Sequence, residues 1–454
     1  MLGQGSAAYQ VSTPRPGWAE IDPEHWWQAA CLAVRAAVGP AQAQVAGLAV
    51  TGQMHGVVLC TERAVVLRPA ITWLDRRAET EAADYQRLPQ SMLARLGNAP
   101  SPGMAGPILA WLARHEPDVY RRARWMLPPK DWLRFRLTGS GVQAATDPTD
   151  ASGTLLFDLA RGEWAMDVVR ALGLRPDILP AIRPSAEIAG PLLPSAAEQL
   201  GLPPGLPVAT GAADTAASLL AAHLPPHWGL LILGTGGQLI VPRPDPDGGG
   251  VDPRLNLFRS VDGGSYWLAG AQNVGVTLDW VRRTLGASWD ELYRTAERPW
   301  QADTPVFLPY LAGERWDHRD SGGAWTGLTL AHQRDDLLRA ALEGIAFLLR
   351  GKLDDLRARC APDPVAMQLA GGGSALPAWR QLLADALAVP LYPVGAGWLT
   401  ARGAAQIAGT ATGLVPDAKA TVRSGQNDEA IVAASQLAEH SYHRFASAAS
   451  LPNH

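Results

Sequence analysis

The sequence predicts an α/β protein with more than one domain, and three observations support this. The chain has 454 residues. Domains usually contain roughly 100–200 residues, so two or three are expected. Short apolar runs with the length of buried strands alternate with Ala- and Leu-rich stretches that have helical periodicity. Glycine-rich loops follow several of these runs, as they do between the strands and helices of α/β domains.

Two buried strands are predicted in the first half of the chain. The apolar run "VAGLAV", residues 45–50, stops at the polar stretch "TGQMHG". The run "LPVAT", residues 206–210, is followed by "GAADTAASLLAAH", whose Ala- and Leu-rich composition indicates a helix. Each strand therefore ends at a glycine-containing loop.

The second half of the chain contains a hairpin and a further strand–loop–helix unit. The runs "LLIL" (230–233) and "QLIV" (238–241) flank a glycine turn, which predicts a β-hairpin. The strand "VAMQL" (365–369) precedes the loop "AGGGS" and then a helix with a regular apolar stripe. A second long helix is predicted over 334–349, and a strand over 389–394.

A domain boundary is predicted near "HLPPHWG", residues 223–229, because two prolines end a helix just before the hairpin. We therefore expect one domain over residues 1–226 and another over 227–454. Both halves contain strand–glycine loop–helix units, which is compatible with an old duplication.

Composition and charge exclude several classes of partner. The formal net charge of −4 comes without a long run of one sign, so no basic face for nucleic acid is predicted. No apolar stretch approaches the roughly 20 residues that cross a bilayer, and the first residues lack a signal-peptide pattern. The three cysteines have no CxxC spacing, which argues against disulfides and indicates a cytoplasmic protein.

Asp214 in "TGAADTAAS" is the first candidate for chemistry. Ligands of α/β folds collect at the carboxyl ends of strands, and a carboxylate there can accept a proton from a substrate hydroxyl. Asp is also a favoured helix N-cap, so the local pattern alone favours a capping role.

Two glycine loops are candidates for binding phosphate. Gly234, Thr235 and Gly236 lie at the hairpin tip, where backbone N–H groups can form an anion site, although a plain hairpin turn fits the spacing better. Gly371, Gly372, Gly373 and Ser374 lie between a strand and a helix, where the backbone can approach a ligand closely. Two such loops in one chain favour a nucleotide.

The stretch "TGQMHG" provides candidates for binding a small polar substrate. Gln53, Met54 and His55 follow the first predicted strand and combine an amide, an apolar body and an imidazole. A lone His is usually structural, and Met usually fills a core. The clusters "ITWLDRR" (71–77) and "LAGERWDHRD" (311–320) either line the same cleft or form surface ion pairs, and the surface role is favoured for their arginines.

Taken in order, these segments resemble the FGGY family of carbohydrate kinases. The similarity covers most of the chain, and the stretch "QMHG" favours the members that act on xylulose. It is carried by segments that include "GWAEIDPEHWWQA", "TGQMHGVVL", "PAITWLDRR", "LPPKDWLRFRLTG", "TDASGTLLFD", "TGAADTAAS", "LGTGG", "FLPYLAGER", "RAALEGIAFLL" and "AGGGSALPAWRQLLADAL".

The resemblance implies an actin-like (ribonuclease H-like) two-domain ATPase fold, with ATP and Mg²⁺ in the interdomain cleft. It assigns the sugar and the catalytic base, Asp214, to the first domain and the nucleotide to the second. Met54 and His55, with Gln53 beside them, would contact the ketose. The 234–236 loop would bind phosphate, and the 371–374 loop would bind adenosine. By analogy it also implies a homodimer.

The chain departs from the family pattern at its front. No acidic residue precedes Glu20, so the usual hairpin with its phosphate loop and metal-ligating Asp has no counterpart, and no metal ligand is identified. We expect that about twenty residues are missing, through a misassigned start or a real truncation. The alternatives are a kinase of another pentulose, a hexulose or a polyol, and an impaired paralogue that only binds sugar or nucleotide.

Overall fold

A computed structural model of the chain describes residues 3–39, 44–139, 144–245, 250–314, 322–360, 362–394, 398–415 and 429–450. Helices and strands are mixed throughout, as the sequence predicts. Within these ranges, no helix combines the length and apolar character that crossing a membrane requires.

The first half of the chain consists of short strands in small pairs, with helices packed around them. The pair most relevant to function is the parallel one between β2 and β12. The strands are β1 Glu20–Ile21, β2 Thr51–Gly52, β3 Val58–Cys60, β4 Ala70–Ile71, β5 Trp125–Leu127, β6 Ala145–Thr146, β7 Phe157–Asp158, β8 Glu163–Trp164, β9 Ala181–Ile182, β10 Ile188–Pro191, β11 Pro207–Ala209 and β12 Ala212–Ala213. The helices are α1 Pro23–Val38, α2 Glu79–Asp84, α3 Gln90–Leu96, α4 Ala105–His115, α5 Pro117–Arg122, α6 Pro129–Thr138, α7 Pro148–Ala151, α8 Met166–Ala171, α9 Pro194–Leu200 and α10 Asp214–Ala222.

The second half is built on a six-stranded sheet in the order β15-β16-β14-β13-β19-β20. Its central strands β13 and β19 are parallel, so their carboxyl ends lie at the same edge. The strands are β13 Trp228–Leu233, β14 Gly237–Arg243, β15 Asn256–Arg259, β16 Ser265–Ala271, β17 Val306–Leu308, β18 Ala324–Thr326, β19 Ala366–Ala370 and β20 Leu391–Pro393. The helices are α11 Gly275–Thr284, α12 Trp289–Arg294, α13 Arg334–Arg357, α14 Pro377–Leu387, α15 Leu399–Ala411 and α16 Gln436–Ala449.

The elements predicted in the second half are confirmed. β13 and β14 form the hairpin, with Leu233 paired to Gly237 across the tip. The predicted stripe of α14 is buried, including Trp379 and Leu383. Helix α13 continues past the predicted end at residue 349, because Leu353 and Leu356 extend its buried face.

The strand predicted over 45–50 is wrong as a regular element. Leu48 makes an isolated bridge to Val208, and the Val50 carbonyl accepts a hydrogen bond from Ala212 N–H. Between these contacts, Gly211 adopts φ +84°, and a Cβ there would lie 2.0 Å from the Val50 oxygen. The close approach of Gly211 to Val50 interrupts the hydrogen bonding between the two segments, so regular strand pairing begins only at Thr51.

The surface prediction for the arginines of "ITWLDRR" is wrong for Arg77. Its side chain is buried, pairs with Asp75 and Glu20, and lies 3.5 Å from the ring centre of Trp18. Arg76 is exposed, as expected. In the other polar cluster, residues 315–320 lie outside the described residues.

A hydrophobic cluster joins the two halves of the chain. Met54, Ala213 and Ala216 from the first half pack with Phe258 and Ala370 from the second. Helix α15 also packs closely on α10, since a Cβ on Gly403 would lie 1.9 Å from the Ala217 carbonyl oxygen. The strand ends of the two halves are therefore held next to one another.

Candidate active site

Two candidate segments leave adjacent strands at the same level. Strands β2 and β12 are parallel, with Ala212 opposite Thr51 and Ala213 opposite Gly52. The next residues in the chain are Gln53 on one side and Asp214 on the other. The carboxyl ends of neighbouring parallel strands form the usual binding edge of α/β proteins. The pairing therefore brings together segments that are about 160 positions apart in sequence.

Asp214 is the first residue of α10 and is half-buried. Its Oδ1 accepts a hydrogen bond of 2.6 Å from Thr215 N–H, and Ala213, not Asp214, occupies the N-cap position. Burial raises the pKa of the Asp214 carboxyl to about 6, against the opposing effect of the hydrogen bonds from Thr215. A carboxyl with this pKa is a competent proton acceptor near neutral pH.

Asp214 lines a cavity of about 300 Å³ between the two halves of the chain. Residues of α10 form one side, and the ends of the central sheet strands and the start of α15 form the others. The lining residues are Asp214, Thr215, Ser218, Ile232, Gln238, Ala370, Gly371, Gly372, Trp398, Leu399 and Thr400. The volume lies at the lower end of the range for small-molecule pockets.

The 371–374 loop enters this cavity directly after β19. Gly371 has φ +96°, and a Cβ there would lie 2.2 Å from the Leu233 carbonyl oxygen, so only glycine fits. Gly372 is exposed, with open space where a side chain would project. The Ser374 hydroxyl donates to the Gly371 carbonyl at 2.7 Å, so it braces the loop. Gly373 packs against Leu233.

The hairpin tip lies at the same edge of the sheet, after β13. Gly234 N–H donates to the Gly236 carbonyl at 2.8 Å, and Val276 N–H donates to the Thr235 carbonyl at 3.0 Å. Gly234 and Thr235 are exposed. They follow a strand that pairs with β19, but the hairpin tip does not line the 300 Å³ cavity itself. The two glycine loops therefore follow neighbouring strands, β13 and β19.

His55 is held in an uncommon conformation beside Met54. Its φ is +72°, and Nδ1 lies 2.7 Å from the Gly153 carbonyl oxygen. A carbonyl only accepts hydrogen bonds, so Nδ1 donates. The ring packs against Phe258 at 5.5 Å between centroids. Met54 is buried in the cluster that joins the two halves, and Gln53 is half-buried.

Sequence reasoning missed several residues near this site. Gly153 and Thr149 contact the two strand-end segments, and both lie in the quoted stretch "TDASGTLLFD". Lys130 is buried and pairs with Asp131 at 2.7 Å and with Asp147 at 3.1 Å. The signal in the sequence was a Lys and several Asp residues within otherwise apolar surroundings. The described part of the chain contains no group of three or more His, Cys, Asp or Glu side chains arranged to hold a metal ion.

The fold and the strand ends that carry the candidate residues define a class of protein. This class is the two-domain kinases of the actin-like type, with a cleft between the halves. Models of the FGGY family of carbohydrate kinases match nearly the whole chain, the N-terminal domain over residues 1–221 and the C-terminal domain over residues 229–412. The chain belongs to this family and is a sugar kinase. The family and fold expected from the sequence are confirmed.

The relatives with similar sequences include xylulose kinases. The xylulose kinase of Escherichia coli is 36% identical over 412 residues, covering 88% of this chain and 83% of the relative. That of Bacillus subtilis is 31% identical over 424 residues, covering 91% and 84%.

Solved structures of related kinases superpose closely on the chain. The xylulose kinase of Rhodospirillum rubrum has a TM-score of 0.84 at 32% identity, covering 97% of this chain and 91% of that one. That of Brucella ovis has a TM-score of 0.86 at 30% identity, with coverages of 98% and 93%. A Plasmodium falciparum glycerol kinase, at 19% identity and a TM-score of 0.85, shares the fold.

Proposed function

We propose that the protein phosphorylates the terminal hydroxyl of D-xylulose with ATP, giving D-xylulose 5-phosphate and ADP. The supporting observation is the pairing of β12 with β2, which sets Asp214 beside the 53–55 segment, while Asp214 lines the same cavity as Gly371 and Gly372. The names of the E. coli and B. subtilis relatives support the choice of sugar.

In this proposal Asp214 is the general base. The terminal hydroxyl of the ketose gives its proton to a carboxylate oxygen of Asp214 as the hydroxyl oxygen forms a bond to the γ-phosphorus. The bond between that phosphorus and the oxygen bridging to ADP breaks at the same time, and ADP leaves with the electron pair. The pKa of about 6 leaves most of Asp214 ionised at neutral pH, so the base is ready to accept.

The 53–55 segment would bind the ketose. The His55 imidazole, oriented by the hydrogen bond between Nδ1 and the Gly153 carbonyl, would contact a sugar hydroxyl. Met54 would provide an apolar surface beside it, and the Gln53 amide can both donate and accept. Together the three residues would place oriented polar groups and an apolar surface around a small substrate, as in other concave binding sites.

The glycine loops would hold the nucleotide. Gly371 and Gly372 offer backbone without side chains at the cavity. Gly234, Thr235 and Gly236 form the hairpin tip at the adjacent strand end, where Gly234 and Thr235 are exposed. Gly373 and Ser374 would support the adenosine side by fixing the loop. These features suit the close approach of phosphates and a nucleoside.

Mg²⁺ would enter with ATP. The ion usually retains several waters and binds through one or two carboxylates and substrate phosphates, so it does not need a cluster of protein ligands. When bound, Mg²⁺ neutralises charge on the phosphates.

A substrate panel tests this function. ADP formation is measured with Mg²⁺ and ATP against D-xylulose, D-ribulose, D-fructose, glycerol and gluconate, and the product is identified by NMR. We expect the highest kcat/KM with D-xylulose and a phosphate on C5. A higher kcat/KM for another compound would identify that compound as the substrate instead of D-xylulose. A lack of ADP formation with every compound of the panel would contradict a kinase of this class. Calorimetry with D-xylulose alone then distinguishes a binding protein from one that does not recognise the sugar.

A further inference from the structure

One short segment contacts both strand ends of the site. Residues 147–153, which we call the bridging segment, contain the short helix α7 and the turn after it. Thr149 contacts the backbone just before Asp214, and Gly153 contacts His55. The segment therefore connects the residue proposed as base with a residue proposed to bind the ketose.

At one end, the Thr149 hydroxyl holds strand β12. Thr149 Oγ1 accepts a hydrogen bond of 2.8 Å from Ala213 N–H, and Ala213 immediately precedes Asp214. The same hydroxyl donates to Asp147 Oδ2 at 2.7 Å. Because its proton is directed to Asp147, the hydroxyl oxygen presents its lone pairs to Ala213. Thr149 is fully buried, so water does not replace this bond.

Asp147 keeps the Thr149 hydroxyl in this orientation. Its carboxylate pairs with Lys130 Nζ at 3.1 Å and accepts a hydrogen bond of 2.7 Å from the Ser185 hydroxyl. Lys130 and Asp147 are completely buried, and such a pair is stable only when other partners complete its hydrogen bonding. Lys130 also packs beneath β2, where a Cβ on Gly52 would lie 3.3 Å from its Cβ.

At the other end, the bridging segment orients His55. The Gly153 carbonyl accepts the Nδ1–H of His55, which fixes both the ring and its tautomer. A Cβ on Gly153 would lie 2.9 Å from His55 Nδ1 and 3.0 Å from Met54 Cε, so the residue allows close packing of both side chains. Ser152 Oγ accepts a hydrogen bond of 3.0 Å from Arg259 N–H, which anchors the segment to the second half of the chain.

We propose that the bridging segment sets the position of the base relative to the bound ketose, with Thr149 and Asp147 as positioning residues for Asp214 and with Gly153 as a positioning residue for His55. This inference rests on the proposed function of the same site. Neither Thr149 nor Asp147 has to touch the substrate for this. Their effect passes through the Ala213 peptide.

Changes at the two ends of the bridging segment should affect different kinetic parameters. Displacing the base by about 1 Å can slow a reaction about 100-fold without weakening substrate binding. Loss of the Thr149 bond therefore lowers kcat. Displacing His55 weakens binding of the ketose in the ground state, so a change at Gly153 raises KM for the ketose. A purely structural role would lower stability without this separation.

The test compares two buried threonines with matched hydrogen bonds. Thr149→Val removes the bond to Ala213. Thr154→Val is the control, because Thr154 Oγ1 donates to Ala151 O at 2.6 Å and accepts from Leu156 N–H at 3.1 Å, both within its own stretch of chain. Each variant of the full chain is assayed for kcat, KM for D-xylulose and melting temperature. Thr149→Ser serves as the conservative rescue.

We expect Thr149→Val to lower kcat about 10- to 100-fold with KM for D-xylulose changed less than about threefold. Thr154→Val should lower the melting temperature comparably and leave kcat within about twofold of the wild type, and Thr149→Ser should recover most of kcat. Equal kcat for the two valine variants at similar stability would overturn the proposal. If Thr149→Val does not fold, the test is the Gly153→Ala variant. We expect its KM for D-xylulose to rise about tenfold, and an unchanged KM would contradict the proposal.

Failure of this inference is distinguishable from failure of the proposed function. A wild-type protein without activity on D-xylulose contradicts the function, whatever the variants do. An active wild type whose Thr149→Val variant keeps its kcat leaves the function intact and removes the positioning role. Binding of D-xylulose to Thr149→Val, measured by calorimetry, should match the wild type within about threefold.

Discussion

Replacing Asp214 by Asn should stabilise the folded protein near neutral pH. The Asp214 carboxyl has its pKa raised from the ordinary 3.8 to about 6, because burial penalises its charged form more than the Thr215 hydrogen bonds favour it. The ionised carboxylate therefore lowers the free energy of unfolding at pH 7. Asn has the same shape, and its oxygen can still accept from Thr215 N–H.

The size of the effect follows from the shift in pKa. Each unit corresponds to about 1.4 kcal/mol between the two protonation states, so a shift of about two units amounts to about 3 kcal/mol. Asp214 is half-buried, and water at its exposed edge reduces this figure. We expect Asp214→Asn to raise the free energy of unfolding by about 1–3 kcal/mol at pH 7.

The pH dependence of unfolding provides the assay. Because the folded-state pKa is raised, the destabilisation is present above about pH 6 and disappears as the pH falls below about 4, where the carboxyl is protonated in both states. Urea unfolding of the wild type and Asp214→Asn at pH 7 and pH 4 measures the difference. The gain should be large at pH 7 and close to zero at pH 4.

Asp252 provides a control of opposite sign. Burial raises the pKa of its carboxyl, but hydrogen bonds from Arg254 and Arg359 outweigh this effect and lower the pKa to about 2. Asp252→Asn should therefore destabilise the protein at pH 7, with the loss shrinking as the pH falls toward 2. If Asp214→Asn were equally destabilising at pH 7, the carboxylate would not be desolvated, and the reasoning about its pKa would be refuted.

Three further predictions concern the site and its support. With Asp214 as base, kcat/KM should fall about tenfold per pH unit below about pH 6, whereas an Asp of ordinary pKa would keep more than nine tenths of its activity at pH 5. Gly371→Ala, with φ +96° and a clash at 2.2 Å, should lower ATP affinity about 100-fold in calorimetry, and an unchanged affinity would contradict a role of this loop in binding the nucleotide. Gly403→Ala should separate α15 from α10 and lower the free energy of unfolding by about 2 kcal/mol or more in urea, while an unchanged midpoint would contradict the close packing.

The parts of the fold that sequence predicts well are those with strong local signals. The hairpin around residues 234–237 follows from two β-rich runs and a glycine turn, and α14 follows from its apolar stripe. The 371–374 loop is recognisable because its glycines lie between a β-rich run and a helix with an apolar stripe. In each case the necessary information lies within about 15 neighbouring residues.

The parts that sequence does not predict depend on contacts between distant segments. Arg77 has the local pattern of a surface residue, but the fold brings Glu20 and Trp18 into contact with its side chain. Lys130 is buried together with the carboxylates of Asp131, Asp147 and Asp150, which pair with its charge. The strand expected over 45–50 is interrupted by Gly211, some 160 residues later. Burial of a charge is decided by its partner, so the pattern around one residue cannot reveal it.

The role of Asp214 as base is tested most directly by the turnover of Asp214→Asn. Release of ADP in the presence of D-xylulose, ATP and Mg²⁺ gives kcat for the wild type and the variant, and calorimetry confirms that both bind the ketose. A general base typically contributes about 100- to 10,000-fold, so we predict a loss of kcat in that range with sugar binding retained. A variant that binds D-xylulose and turns over within about threefold of the wild type would contradict the account.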